Sequence, residues 1–201
     1  MSEESGPPGA EHPVFAAPVR LAFIALGSNI GERFEHLQAA AHGLAALPAT
    51  TIVGCSSIFE TAPMGAAKFD FLNAVVALHT VVAPLPMLDV LLQIERSRGR
   101  ARDEKWGPRT LDLDLLAMYD EKGPLAMEHP RLTLPHPGIG HRDFVLRPLM
   151  EISPSLKVAG HRLDHHLATL PEDARTVRAR HERPLLEAGP FGVSVPLLEG
   201  G

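Results

Sequence analysis

Two carboxylates, Asp112 and Asp114, stand two residues apart in the run LDLDLL, directly after a stretch crowded with arginine. Residues 95–109 hold Arg96, Arg98, Arg100, Arg102, Lys105 and Arg109 against Glu95, Asp103 and Glu104, a local positive excess in a chain of net charge −5. Alternation in LDLDLL has the period of a strand. Both aspartates therefore project from one face, with Cα atoms roughly 6.6 Å apart, and Leu113 and Leu115 from the other. Adjacent carboxylates repel unless a cation lies between them. Hard oxygen ligands on a short strand suit Mg²⁺, which takes one or two carboxylates and completes its shell with substrate phosphates. Arginines beside such a site suit a polyphosphate. Taken singly, each half is also what an ordinary amphipathic strand or a solvated basic loop looks like. Their adjacency across Trp106-Gly107-Pro108 favours the joint reading, with Gly99 and Gly107 as hinges for a closing loop.

Motifs of other phosphate-binding and hydrolytic sites are missing: the chain has no GxxxxGK[ST], no GxGxxG, no HExxH and no GxSxG. Gly27-Ser28-Asn29-Ile30-Gly31 follows a strand and opens a helix, but is too short and generic to define a phosphate loop. His136 lies between Pro135, whose own φ is fixed, and Pro137, which biases His136 toward extended backbone. It could present its ring to an anion or simply sit in a surface turn. His161, His165 and His166 read as a solvated cluster, and Cys55 as a small core residue.

The elements that must position these groups follow from apolar periodicity. Strands are expected over residues 20–27, 50–59, 71–80 and 111–118. Helices are expected over about 34–45, with Asn29 as the cap, over 84–99, opened by Pro84 or Pro86, and over 144–152. The order strand, helix, strand, strand, helix, strand predicts an α+β fold. It is the ferredoxin-like βαββαβ arrangement, an antiparallel sheet with two helices on one face and the last helix on the other. Residues 1–18 carry four prolines, two glycines and three glutamates and read as a disordered arm. Residues 19–170 read as the domain. Residues 171–201 read as an irregular extension on which Leu185 and Leu186 dock weakly.

With 19 basic against 24 acidic residues, the chain lacks the charge of a generic nucleic-acid or membrane-surface binder. An RNA-binding ferredoxin-like module would need exposed strand aromatics, and no such motif is found among the ten aromatics. A single cysteine suits a reducing compartment. No apolar run approaches the ~20 residues of a membrane span, and no signal peptide is evident. A soluble, cytoplasmic monomer is expected.

The segment WGPRTLDLDLL resembles hydroxymethyldihydropterin pyrophosphokinase, a folate-pathway family. The resemblance extends in consistent order over ALGSNIG (25–31), SSIFETAPMG (56–65), DFLNAVVAL (70–78), IERSRGR (94–100), RLTLPHP (131–137) and FVLRPL (144–149). It implies a three-layer α/β/α sandwich that transfers the diphosphate of ATP to 6-hydroxymethyl-7,8-dihydropterin, releasing AMP. On this resemblance Asp112 and Asp114 match the magnesium-binding aspartates, for two Mg²⁺ ions. Arg100 and Arg109 match the catalytic arginines, with Arg102 and Trp106 on the same loop beside ATP. Glu95, Arg131, Thr133, His136 and Arg142 match further positions around ATP. The pterin pocket is implied at Thr61, Pro63, Met64, Asn73 and Phe144, with Phe71 where some members carry tyrosine. The loop from 65 to 69 is about two residues short, and Pro137 replaces an aromatic found in some members. A different magnesium-dependent phosphoryl or nucleotidyl transferase on the same fold is the rival reading.

Overall fold

The apolar run at residues 20–28 is buried on both faces, which places it in the middle of a sheet rather than at an edge. The computed structural model describes residues 17–63, 69–99 and 110–186. In chain order its main elements are β1 (Arg20–Ser28), α1 (Arg33–Ala45), β2 (Thr50–Cys55), β3 (Ile58–Thr61), β4 (Phe71–Thr80) and α2 (Pro84–Ser97). They continue with β5 (Asp112–Asp120), β6 (Gly123–Pro124), β7 (Met127–His129), β8 (Leu132–Leu134) and α3 (Asp143–Ile152). The last are β9 (Lys157–Val158), β10 (His161–Arg162), α4 (Leu163–Thr169) and β11 (Val177–His181). β1 is flanked by β4 on one side and β5 on the other, both antiparallel. β4 pairs outward with β2 and β3, and the full path runs β11-β3-β4-β1-β5-β6. This is the expected ferredoxin-like order.

Strand alternation sorts the side chains into two cores. On one face Ile24, Leu26, Val76, Leu113 and Leu115 pack with Leu37 of α1 and Leu91 of α2. On the other, Phe23, Val75, Ala77 and Leu116 pack with Val145 and Leu149 of α3 and Leu163 of α4. The result is three layers, α/β/α.

Three expectations change. The single strand expected over 50–59 is two strands, broken at Ser56. There the Ser56 N–H donates to Val75 O (2.9 Å), and the Ser56 hydroxyl accepts from Val75 N–H (2.9 Å). A side chain has taken over part of the ladder, which frees the chain to bend. Asn29 does not cap α1; Glu32 occupies that position without a side-chain cap bond, and Asn29 is buried. The extension from 171 is not irregular throughout. β11 adds an antiparallel edge strand to β3, and Leu185 is 1% exposed within the first core. β11 reads VRARH, in which Val177 and Ala179 alternate with arginines but no residue is fully buried. It is held by main-chain bonds and by Arg178–Asp70 and Arg180–Glu151 ion pairs, a composition tolerated only at an edge. The N-terminal arm through residue 16 and the tail from 187 lie outside the described residues.

Candidate active site

Asp112 and Asp114 alternate with Leu113 and Leu115, whose side chains fill the α1/α2 core, so the two carboxylates occupy the opposite, α3-side face and are half-buried. Gly27 of β1 is in register with Asp112 on one side and Asn73 of β4 on the other, and Phe59 of β3 is in register with Asn73. One row thus crosses four strands, with Asn73 and Asp112 two strand spacings apart, roughly 10 Å. Ala25, opposite Asp114, and Gly27 keep the floor of this row low. A Cβ on Gly27 would lie 3.1 Å from Asn73 Oδ1 and 3.9 Å from Asp112 Cβ.

A bulge completes the arrangement. The β1–β5 register shifts between Phe23 and Ile24, leaving Leu116 without a partner residue on β1. The Leu116 carbonyl instead accepts the His136 N–H (2.7 Å), so an irregularity one residue past Leu115 anchors a histidine beside the aspartates. Burial pushes the His136 imidazole below its ordinary range. Asp114 and Asp112 pull it up and Arg142 pulls it down, with burial prevailing. The Gly138 N–H donates to His136 Nδ1 (3.0 Å), so the neutral ring carries its proton on Nε2. A Cβ on Gly138 would lie 3.0 Å from His136 Cε1 and 3.1 Å from Arg142 Cζ. That glycine lets the two basic residues close on one another.

On the β4 side, the Asn73 amide nitrogen donates to Thr61 Oγ1 (2.8 Å), and both residues are buried. Phe71, two residues along the same face of β4, is opposite Thr61. Phe144 is the second residue of α3, with the Arg142 guanidinium 5.8 Å from its ring centroid. Glu95 is 1% exposed and accepts the Leu113 N–H (2.8 Å), which ties α2 to the strand between the two aspartates.

The profile of the family described as 7,8-dihydro-6-hydroxymethylpterin-pyrophosphokinase (HPPK) matches residues 23–154. The chain belongs to this family. A Pseudomonas aeruginosa protein named 2-amino-4-hydroxy-6-hydroxymethyldihydropteridine pyrophosphokinase is 42% identical over 155 residues, 76% of this chain and 93% of that protein. A Bacillus subtilis protein of the same name is 44% identical over 133 residues, 66% of this chain and 77% of the other. Among solved structures, Plasmodium falciparum HPPK-DHPS with pteroate superposes with a TM-score of 0.58 at 15% identity, covering 75% of this chain and 44% of that one. At that identity the likeness concerns the fold, and the chain spans under half of that longer protein.

Of the site residues expected from the resemblance, the structure brings together Asp112, Asp114 and His136, with Arg142 close by, on the β5 side of the row, and Thr61, Phe71 and Asn73 on the β4 side. Glu95 stands behind the sheet, in contact with backbone. Pro63, just beyond β3, is half-buried. Arg131 and Thr133 are exposed at the β7–β8 hairpin, where Arg131 pairs with Asp89 of α2. Met64, Arg100, Arg102, Trp106, Gly107 and Arg109 lie outside the described residues. On either side of that segment, Gly99 has φ +78°, and the Ser28 hydroxyl donates to Thr110 O (2.6 Å).

The three histidines expected to form a solvated cluster gather at the β10–α4 junction. His161 and His165 are exposed and stack with centroids 4.4 Å apart. His166 is half-buried with Nε2 2.9 Å from Val158 O. Burial pushes the half-buried Cys55 thiol up to about 11, as suits an unreactive packing residue. Gly27, the Leu116 bulge and Gly138 carry no functional mark in the sequence alone. The strict register of ALGSN against DFLN and LDLD is the signal that could have found Gly27.

Proposed function

We propose that the chain transfers the diphosphate of ATP to the hydroxymethyl group of 6-hydroxymethyl-7,8-dihydropterin, a step of folate biosynthesis, as a cytoplasmic monomer. The observation that carries this reading is the row Asn73-Gly27-Asp112. It supports the reading by setting the Asn73 amide two strand spacings from a pair of carboxylates. The alcohol oxygen attacks the β-phosphorus and gives up its proton to solvent. The Pβ–O bond to the α-phosphate breaks, and AMP leaves with the bonding pair. Thr61, Pro63, Met64, Phe71, Asn73 and Phe144 hold the pterin. Phe71 keeps a stacking surface while lacking a phenol hydroxyl.

Asp112 and Asp114 are fit to hold Mg²⁺. Among the described residues no group of three or more acidic, His or Cys side chains gathers to hold a metal alone. Two carboxylates on one strand face are the number that Mg²⁺ takes when substrate phosphates complete its shell. Bound there, Mg²⁺ would neutralise phosphate charge and align the β-phosphorus. Neutral His136, through Nε2–H, and Arg142 donate toward phosphate oxygens, while Glu95 fixes the strand that presents the carboxylates. Arg100 and Arg109, with Arg102 and Trp106, supply the remaining charge and contact to ATP, and Arg131 and Thr133 its outer contacts.

Nucleotide turnover that requires ATP, Mg²⁺ and the pterin alcohol together is the expected result. ATP consumption unaffected by omitting the pterin would refute the reading. Gly27→Ala supplies a second check. Its methyl displaces the Asn73 amide, so pterin affinity measured by fluorescence titration falls roughly tenfold, about one lost polar contact. ATP affinity stays within about twofold on the same account, because the Asp112 contact lies at ordinary van der Waals distance.

A further inference from the structure

Three consecutive residues after the expected domain end, 176 to 178, each reach a position one residue away from a proposed pterin contact. Thr176 O accepts the N–H of Ala62 (2.8 Å), which lies between Thr61 and Pro63. The Thr176 hydroxyl donates to Asp143 Oδ1 (2.8 Å), and the Val177 N–H donates to Asp143 Oδ2 (2.9 Å). Asp143 immediately precedes Phe144. Arg178 donates to Asp70 Oδ2 (2.7 Å), and Asp70 immediately precedes Phe71.

These contacts differ in weight. The Arg178–Asp70 pair is exposed and contributes little. Asp143 is 1% exposed and Thr176 6%. A buried carboxylate needs its acceptor sites filled, and charge-assisted bonds at such a site are the strong ones. Asp143 also begins α3, where the helix N-terminus favours negative charge. The 176–177 segment donates to both of its carboxylate oxygens, and Arg147 Nε stands 4.0 Å away, beyond hydrogen-bond distance. The first turn of α3 is therefore held to the end of β3 by one residue that bonds to both.

We propose that Thr176 is a positioning residue for the pterin pocket. Through Asp143 it fixes where Phe144 stands relative to Thr61, so that the ring wall and the polar wall of the pocket keep one spacing. This rests on the pocket assignment made above, and its effect falls on the pterin side, since Asp112 and Asp114 belong to β5 and are tied to α2 instead.

The test is steady-state kinetics on the full chain with Thr176→Val, which keeps shape and removes the hydroxyl. The KM for the pterin alcohol rises roughly 5- to 20-fold, the loss of one buried charge-assisted contact, while kcat and the KM for ATP change less than about twofold. Thr176→Ser restores the parent KM. A purely stabilising role would lower the melting temperature of Thr176→Val and leave the pterin KM within about twofold of the parent. That result, or failure of Thr176→Ser to rescue, overturns the proposal. Phe144→Ala separates the two claims. If it leaves pterin affinity unchanged, the pocket assignment itself is wrong. If it weakens pterin binding while Thr176→Val does not, only the positioning role is wrong.

Discussion

Asp112→Ala and Asp114→Ala each lose roughly 10³-fold in turnover with the fold intact, the scale expected when a metal-anchoring charge leaves a phosphoryl-transfer site. Both side chains lie on the α3-side face beyond the apolar packing of Phe23, Val75 and Leu116, so neither truncation opens a cavity in either core. Leu113 and Leu115 keep β5 against the helices, and Glu95 still accepts the Leu113 N–H. Circular dichroism and thermal unfolding check the fold, and turnover across a Mg²⁺ titration checks the site. Asp114→Asn keeps the volume and one carbonyl oxygen and is expected to regain part of its activity at high Mg²⁺. Either alanine variant retaining near-parent turnover would show that these carboxylates do not hold the metal.

Arg109→Ala and Arg100→Ala are expected to lower kcat by roughly 10²–10⁴-fold, since on the proposed reading each removes charge that would meet the transferred diphosphate as it separates from AMP. Both residues belong to the basic run between 95 and 109, inside the stretch that matches the family. ATP affinity should fall much less, because on the proposed reading Asp112, Asp114 with bound Mg²⁺, His136 and Arg142 would still hold the triphosphate. The two constants separate under single-turnover conditions: a large loss in ATP affinity with unchanged kcat would make these arginines binding groups alone.

Where burial is one-sided or complete, pattern alone locates the elements. Leu113 and Leu115 against Asp112 and Asp114 predicted both the strand and its carboxylate face, and the runs at 20–27 and 71–80 predicted the central strands. Irregular features escaped. Ser56 breaks a β-branched run because its hydroxyl substitutes for a ladder bond, and nothing in TIVGCSSIFE marks that choice. The Leu116 bulge brings Leu116 and Ala117 to the same core, so strict alternation fails just where His136 needs its anchor. β11 carries Arg178 and Arg180 outward and buries none of its residues fully, so its pairing with β3 depends on partners far away in sequence, Asp70, Asp143 and Glu151. For the candidate site, residue types and spacing pointed to the carboxylates. The glycines that make room around them, Gly27 and Gly138, are legible only once strand register and loop closure are known.

The most direct measurement is the nucleotide left after one completed reaction of the chain with ATP, Mg²⁺ and the pterin alcohol. Attack at the β-phosphorus moves two phosphates as a unit. Chromatography should then show AMP and pterin diphosphate in a one-to-one ratio, with no ADP formed in step with the pterin product. ADP appearing with a pterin monophosphate would mean transfer of the γ-phosphoryl group alone. It would contradict the proposed chemistry even for a protein that binds the pterin tightly.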